Sequence, residues 1–219
     1  MPPEPGGADT PILGFDCSAA QCAVALVLGE TARSRRRVEL PRGQDALLIP
    51  LLADCLADAG LAWRDLSAIA VCTGPGNFTG IRIAVAAARG LALGLGIPAI
   101  GVGRLQALAE GHAGPVLASA AARGESLHVQ LFGPGGWDRP RQLASTEIAT
   151  LDLPPGCVSV GPAGRLLPQH RWADPEDSAD PALLAVLARR TGPGPRPAPI
   201  YPRPPNADLP AEPPPALLP

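Results

Sequence analysis

Val71-Cys72-Thr73-Gly74-Pro75-Gly76-Asn77-Phe78-Thr79-Gly80-Ile81-Arg82 reads as an apolar strand that runs into a glycine-punctuated loop and then opens a helix of small residues. Glycine at 74, 76 and 80 permits positive φ and close backbone approach, Pro75 fixes one φ and removes a donor, and Thr79 is placed to cap the helix. Gly74, Pro75, Gly76, Asn77, Thr79 and Gly80 are therefore expected as a preset structural turn. A strand-to-helix turn of this kind also aims free N–H groups at a helix start, so a phosphate cradle stands as the functional alternative. The Gly-Lys-Ser/Thr ending of a P-loop is missing, and all 18 basic residues of the chain are arginine.

Outward from the loop, residues 12–16 and 22–28 read as strands joined by the polar turn 17–21, an opening β-hairpin, with a third strand over 31–40. Arg33, Arg35, Arg36 and Arg37 in that third strand read as a solvated edge rather than a binding patch. Residues 44–59 read as a helix whose apolar side chains cover more than one stripe, with Pro50 marking a start or a kink. Strands follow over 66–72 and 99–102, flanking a helix over 79–95. That second helix carries Ala84, Ala86, Ala87, Ala88, Gly90, Ala92 and Gly94, so little bulk separates its backbone from a neighbour. The excess apolar surface of the two helices predicts a docking face for a second polypeptide. Its expected members are Leu47, Leu48, Leu51, Leu52, Cys55, Phe78, Arg82, Ala84, Val85 and Ala88, with Arg82 pairing a partner carboxylate.

The rest of the chain is patterned more weakly. It predicts a helix over 105–111, strands over 116–120, 127–132 and 157–160, and a helix over 181–190; from 191 onward dense proline halts regular structure. The expected organisation is a disordered leader over 1–11, a first lobe over 12–103, a second, smaller lobe over 104–203 and a proline-rich tail over 204–219.

A length of 219 residues with 46% hydrophobic content supports a substantial core. A net charge of −2 leaves no overall basic field for holding nucleic acid directly. Cys17, Cys22, Cys55, Cys72 and Cys157 are odd in number and form no C-x-x-C pair, which reads as buried thiols in a reducing cytoplasm. The first eleven residues have no signal-peptide pattern, and no uninterrupted apolar run is long enough for a bilayer.

Chemistry is sparse. His112, His128 and His170 show no metal-ligand spacing, and no Gly-x-Ser-x-Gly elbow or nucleophile–base spacing is present. No catalytic residue and no metal ligand are expected. Asp16 ends the first strand where sugar-kinase and actin-type ATPases place a carboxylate near metal and phosphate. With Ser18 it is a candidate for a vestigial nucleotide site.

The chain resembles the TsaB family, the dimerisation subunit of the bacterial machine that installs threonylcarbamoyl on the adenosine beside the tRNA anticodon. The resemblance rests on Ile12-Leu13-Gly14-Phe15-Asp16-Cys17-Ser18 followed by Cys22-Ala23-Val24-Ala25-Leu26, on Gly74 to Arg82, and on Gly90-Leu91-Ala92 through Ile100-Gly101-Val102. It is thinner at Arg123-Gly124-Glu125 to Phe132 and at Pro199-Ile200-Tyr201-Pro202-Arg203-Pro204-Pro205. There Pro202 replaces the leucine of the family pattern, as Ser119-Ala120-Ala121-Ala122 replaces an Asp-Ala-Arg run. The resemblance implies an α/β, two-lobed fold of the actin-like, sugar-kinase-like (ASKHA) type with a degenerate nucleotide site. It further implies a non-catalytic role beside the catalytic paralogue TsaD and the ATPase TsaE, with tRNA reached only through the complex. The self-complementary helix face leaves a homodimer open when the chain is alone, and the lack of a long apolar run predicts no membrane partner. No cofactor is implied for this chain alone, with ATP and Mg at the level of the complex. An active ATP-dependent phosphotransferase and a glycoprotease-like peptidase are the rival readings.

Overall fold

The structure, a computed structural model, describes residues 10–174 and 178–202. Most of the expected leader, Arg203 and the tail over 204–219 lie outside the described residues.

The first sheet opens with β1 (Pro11–Asp16), β2 (Gln21–Leu28) and β3 (Thr31–Glu39), an antiparallel meander. The leader therefore gives way to sheet at Pro11. α1 (Gln44–Asp58) and β4 (Ala68–Cys72) follow, then α2 (Phe78–Leu95) and β5 (Ala99–Val102). β4 joins β1 in parallel and β5 joins β4 in parallel, so the order is β3-β2-β1-β4-β5. Side chains alternate across these strands with period two. Leu13, Phe15, Val24, Leu26, Ile69 and Val71 face α1 and α2, while Ile12, Ala25, Val27, Ala68, Ala70 and Cys72 face the opposite side.

After α3 (Arg104–Ala109), a second sheet is built from β6 (Val116–Ala121), β7 (Ser126–Phe132) and β8 (Arg141–Ala144). α4 (Ser145–Ala149), β9 (Val158–Val160) and β10 (Arg171–Asp174) complete it. Its order is β8-β7-β6-β9-β10, with β6, β7 and β8 antiparallel and β9 and β10 added in parallel. That repeats the first sheet strand for strand: a meander whose first member then takes two parallel neighbours. The two-lobed α/β architecture, with one five-stranded mixed sheet to each lobe, is therefore present.

α5 (Pro181–Thr191) returns to the first sheet, where Leu184, Ala185, Leu187 and Ala188 pack against the face opposite α1 and α2. Gly14 makes this possible, because a side-chain carbon there would overlap the Pro181 carbonyl. A boundary at residue 103 thus separates the strands of the two sheets but not their helices. The helix expected in the second lobe completes the core of the first.

One local expectation is corrected and another is narrowed. Asn77, not Thr79, caps α2: its Oδ1 accepts from the N–H groups of Thr79 and Gly80 at 3.2 and 3.3 Å. The helix starts one residue earlier than the glycine spacing suggests, which moves the cap to the residue before Phe78. Of the two readings of Pro50, its place inside α1 excludes the helix start. Pro50 and Ala46, whose carbonyl loses its helical donor, are both exposed, which lowers the cost of that lost bond. α2 is also long and apolar enough, by length and composition, to cross a membrane. Its Ile81, Ala84, Val85 and Ala88 are nevertheless spent on the core of the first sheet.

Candidate functional site

The glycine loop is interlocked with the β1–β2 turn. Gly74 has φ 89° and Gly76 has φ 158°, conformations that favour glycine. A side-chain carbon at Gly76 would overlap the Ser18 carbonyl, and one at Gly80 would overlap that of Cys17. The Asn77 N–H donates to the Ser18 carbonyl at 2.7 Å, so with the Asn77 side chain holding Thr79 and Gly80, three donors of the loop are already engaged. Arg104 seals the junction from below. Its N–H donates to the Gly74 carbonyl at 2.7 Å, and its buried guanidinium reaches the carbonyls of Ser18 at 3.3 Å and Pro75 at 3.4 Å. Sequence reasoning missed Arg104, an isolated arginine with no motif around it.

Asp16 and Ser18 are both buried beside this junction. The Asp16 carboxylate accepts from the Ser18 N–H at 2.7 Å and faces Gln21 Nε2 at 3.5 Å. Asp16 therefore closes its own turn. A cleft of about 540 Å³ runs from Gln21 and Ala23 past Arg35 and Arg37 to His112, Asp174 and Asp180, and neither Asp16 nor Ser18 lines it. The arginines of β3 on this cleft are engaged in ion pairs, Arg35 with Asp180 at 2.7 Å and Arg37 with Glu39 at 3.3 Å. Three donors of the loop and the two arginines on the cleft are thus already engaged, which counts against a phosphate cradle.

The predicted docking residues separate into two sets. Leu48, Leu51, Leu52, Cys55, Ala84, Val85 and Ala88 are buried in the core between α1, α2 and the first sheet. They cannot meet a second chain in this fold, and that part of the expectation is corrected: the sheet uses the stripes that the sequence assigned to a partner. Leu47 is half-buried, and only Phe78 and Arg82 are exposed.

A different set of residues faces outward. Leu93 is 83% exposed, Ile49 44% and Phe78 42%, and Ala86, Gly90 and Gly94 on α2 are also open. Nothing approaches Gly90 or Gly94, so a second helix can lie close to the α2 backbone there. The Arg82 guanidinium sits 5.1 Å from the Phe78 ring centre, whose other neighbour is the Tyr201 ring at 5.0 Å. A groove of about 500 Å³ continues this face past Leu93 and Ile97 to Arg89, Arg196 and Pro197. Ile49 and Leu93 were legible as apolar positions, but nothing in the sequence said which apolar positions the sheet would claim.

A protein-family profile described as TsaD, tRNA N6-adenosine threonylcarbamoyltransferase, matches residues 42–130. The Escherichia coli tRNA threonylcarbamoyladenosine biosynthesis protein TsaB is 38% identical over 100 residues, 46% of this chain and 43% of that one. The matched region thus spans less than half the length of that relative. An uncharacterized protein of Mycobacterium tuberculosis is 31% identical over 185 residues, 83% of each chain. Among solved structures, a Pseudomonas aeruginosa chain described as an uncharacterized protein with similarity to peptidase YeaZ superposes with a TM-score of 0.73 at 27% identity. It covers 89% of this chain and 100% of that one. Together with the interlocked glycine loop and the repeated sheets, these matches place the chain: it belongs to the TsaB family.

Proposed function

We propose that this chain is a non-catalytic subunit of the machinery that makes threonylcarbamoyladenosine in tRNA, and that it works by binding and activating the catalytic paralogue TsaD. The names of its relatives and the match to the TsaD profile support the pathway and the partner. The observation that carries the docking role is the outward face of α1 and α2, where Ile49, Phe78 and Leu93 stand clear of a core that is already full. An unpartnered apolar face on two adjacent helices fits a helix-on-helix interface, and a stable one needs on the order of 1,600 Å² in total. Arg82 and Arg89 lie on the exposed side of α2, where they suit carboxylates on the partner.

The closed Asp16–Ser18 turn supports assigning the transfer chemistry to the partner. In this reading ATP and Mg act at the level of the complex, with TsaE, and this chain supplies no nucleotide pocket of its own. tRNA is reached through the assembly, in keeping with the −2 net charge of the chain. When the paralogue is absent, the same face is available for a two-fold homodimer.

Co-expression with the paralogue, followed by size-exclusion chromatography and a tRNA modification assay with each subunit omitted, tests this reading. The expected result is a joint peak and modification that depends on this chain. A paralogue fully active by itself, or ATP turnover by the isolated chain, overturns it.

A further inference from the structure

Cys17 follows β1 and Cys22 lies in β2, one step beyond the Asp16–Ala23 pair of the hairpin ladder, and their sulfur atoms are 3.5 Å apart. The other three thiols have different neighbours. Cys55 lies against Ser34 Oγ at 3.3 Å, Cys72 against Ser18 Oγ at 3.5 Å and Cys157 against its neighbour's carbonyl at 3.8 Å. The hydrogen bond between the two hairpin sulfurs divides their character: it holds the Cys22 thiol below its ordinary range, while the same bond and burial push Cys17 up. Two thiols in direct contact at this distance are the arrangement found in oxidisable dithiols, because the second sulfur stands within reach of the first once it is oxidised.

We propose that Cys17 and Cys22 form an oxidative modification site that hydrogen peroxide converts to a disulfide across the β1–β2 hairpin. Cys22, as thiolate, attacks one peroxide oxygen; the O–O bond breaks, the departing hydroxide takes a proton to become water, and Cys22 becomes a sulfenic acid. The Cys17 sulfur then attacks the Cys22 sulfur and gives up its proton. The S–O bond breaks and a second water leaves, so two thiols are oxidised and one peroxide is reduced to two waters.

Both side chains are fully enclosed, and the turn above them carries the half-buried Ala19 and the exposed Ala20. Peroxide, with two heavy atoms, needs only a local opening of that turn to enter, whereas a bulky disulfide oxidant needs far more room. Bond formation contracts the sulfur separation from 3.5 Å to about 2.05 Å. The contraction falls on a turn already keyed to the glycine loop through Ser18 and Asn77, and so on the segment that sets the start of α2.

The test uses the reduced full chain treated with hydrogen peroxide, capped with iodoacetamide under denaturing conditions and cut with trypsin. With no lysine in the chain and Arg33 as its first arginine, both sulfurs fall in the single peptide 1–33. The expected product is that peptide lighter by two hydrogens and uncapped at both cysteines, with titratable thiols falling from five to three and returning to five with dithiothreitol. Cys72→Ser leaves this product unchanged, and Cys17→Ser or Cys22→Ser abolishes it. Should either hairpin variant fail to fold, the mass of the wild-type peptide decides the matter. Five thiols persisting after peroxide, a sulfinic acid on Cys22 with Cys17 still capped, or a disulfide to Cys72 each overturns the proposal.

Discussion

Gly76 stands against the Ser18 carbonyl so closely that a side-chain carbon at Gly76 would overlap it, and the Asn77 N–H donates to the same carbonyl at 2.7 Å. The strand-to-helix loop and the β1–β2 turn therefore form one unit, and α2 starts where that unit directs it. Backbone rather than side chain makes the contact, so repacking cannot relieve an added methyl group.

Gly76→Val is expected to cost about 2 kcal/mol or more, through both strain at positive φ and the displaced Ser18 carbonyl. Gly90→Ala is the contrast. It lies in α2 with open space around it and is expected to stabilise the isolated chain by about 0.5–1 kcal/mol through helix propensity alone. Urea denaturation of both variants measures this; a Gly76→Val midpoint equal to wild type would show that the interlock does not constrain the loop.

The two faces of α1 and α2 give opposite outcomes on substitution. Leu52→Ala in the core is expected to destabilise by about 2–5 kcal/mol, and Leu48→Arg to prevent folding. Ile49→Arg and Leu93→Arg leave the melting temperature within a degree or two and abolish co-elution with the paralogue. Circular dichroism melts beside pull-down of each variant make the comparison, and a folded Leu93→Arg that still co-elutes rejects this face.

His128 links stability to pH. It is 8% exposed, its Nδ1 has no hydrogen-bond partner, and burial followed by the charge of Arg104 lowers its pKa from 6.5 to about 4. The folded value lies below the unfolded one, so the neutral ring favours the native state fully above pH 6.5, and this contribution disappears as pH falls toward 4. His128→Leu is expected to remove up to about 3 kcal/mol of the acid-side decline. Denaturation curves at pH 7 and pH 4.5 provide the check: equal pH dependence in the variant and wild type would assign the decline to other groups.

Tyr201 anchors the segment after α5 onto the start of α2, and the neighbouring Ile200 N–H donates to the Thr73 carbonyl at 2.8 Å. Tyr201→Ala is expected to cost about 1 kcal/mol globally and to speed hydrogen exchange at the Ile200 amide by tenfold or more. Unchanged protection at Ile200 would mean that the backbone bond holds the segment without the ring.

Much of the framework was legible residue by residue. The short apolar runs over 12–16 and 22–28, split by a polar turn, and the apolar run into Cys72 placed β1, β2 and β4, and α1, α2 and α5 were located within two residues of their ends. The short polar strands β8 and β10 and the five-residue α4 went unread. Arg141–Ala144 is partly exposed and Arg171–Asp174 mostly so, and a four-residue strand without alternation carries too little pattern to stand out from a loop.

The sequence by itself determined the glycine turn, the opening hairpin, the edge character of the arginine-rich strand and the apolar helices, because each depends on backbone freedom or on periodicity within a few residues. Tertiary structure alone decided that α5 completes the first sheet, that Arg104 reaches the Ser18 and Pro75 carbonyls, and that Leu48 and Leu52 turn inward while Ile49 and Leu93 turn out. A helix apolar on more than one side does not encode which side its sheet will take. That choice is made by strands and helices distant in the chain, whose packing fills one face and leaves the other open.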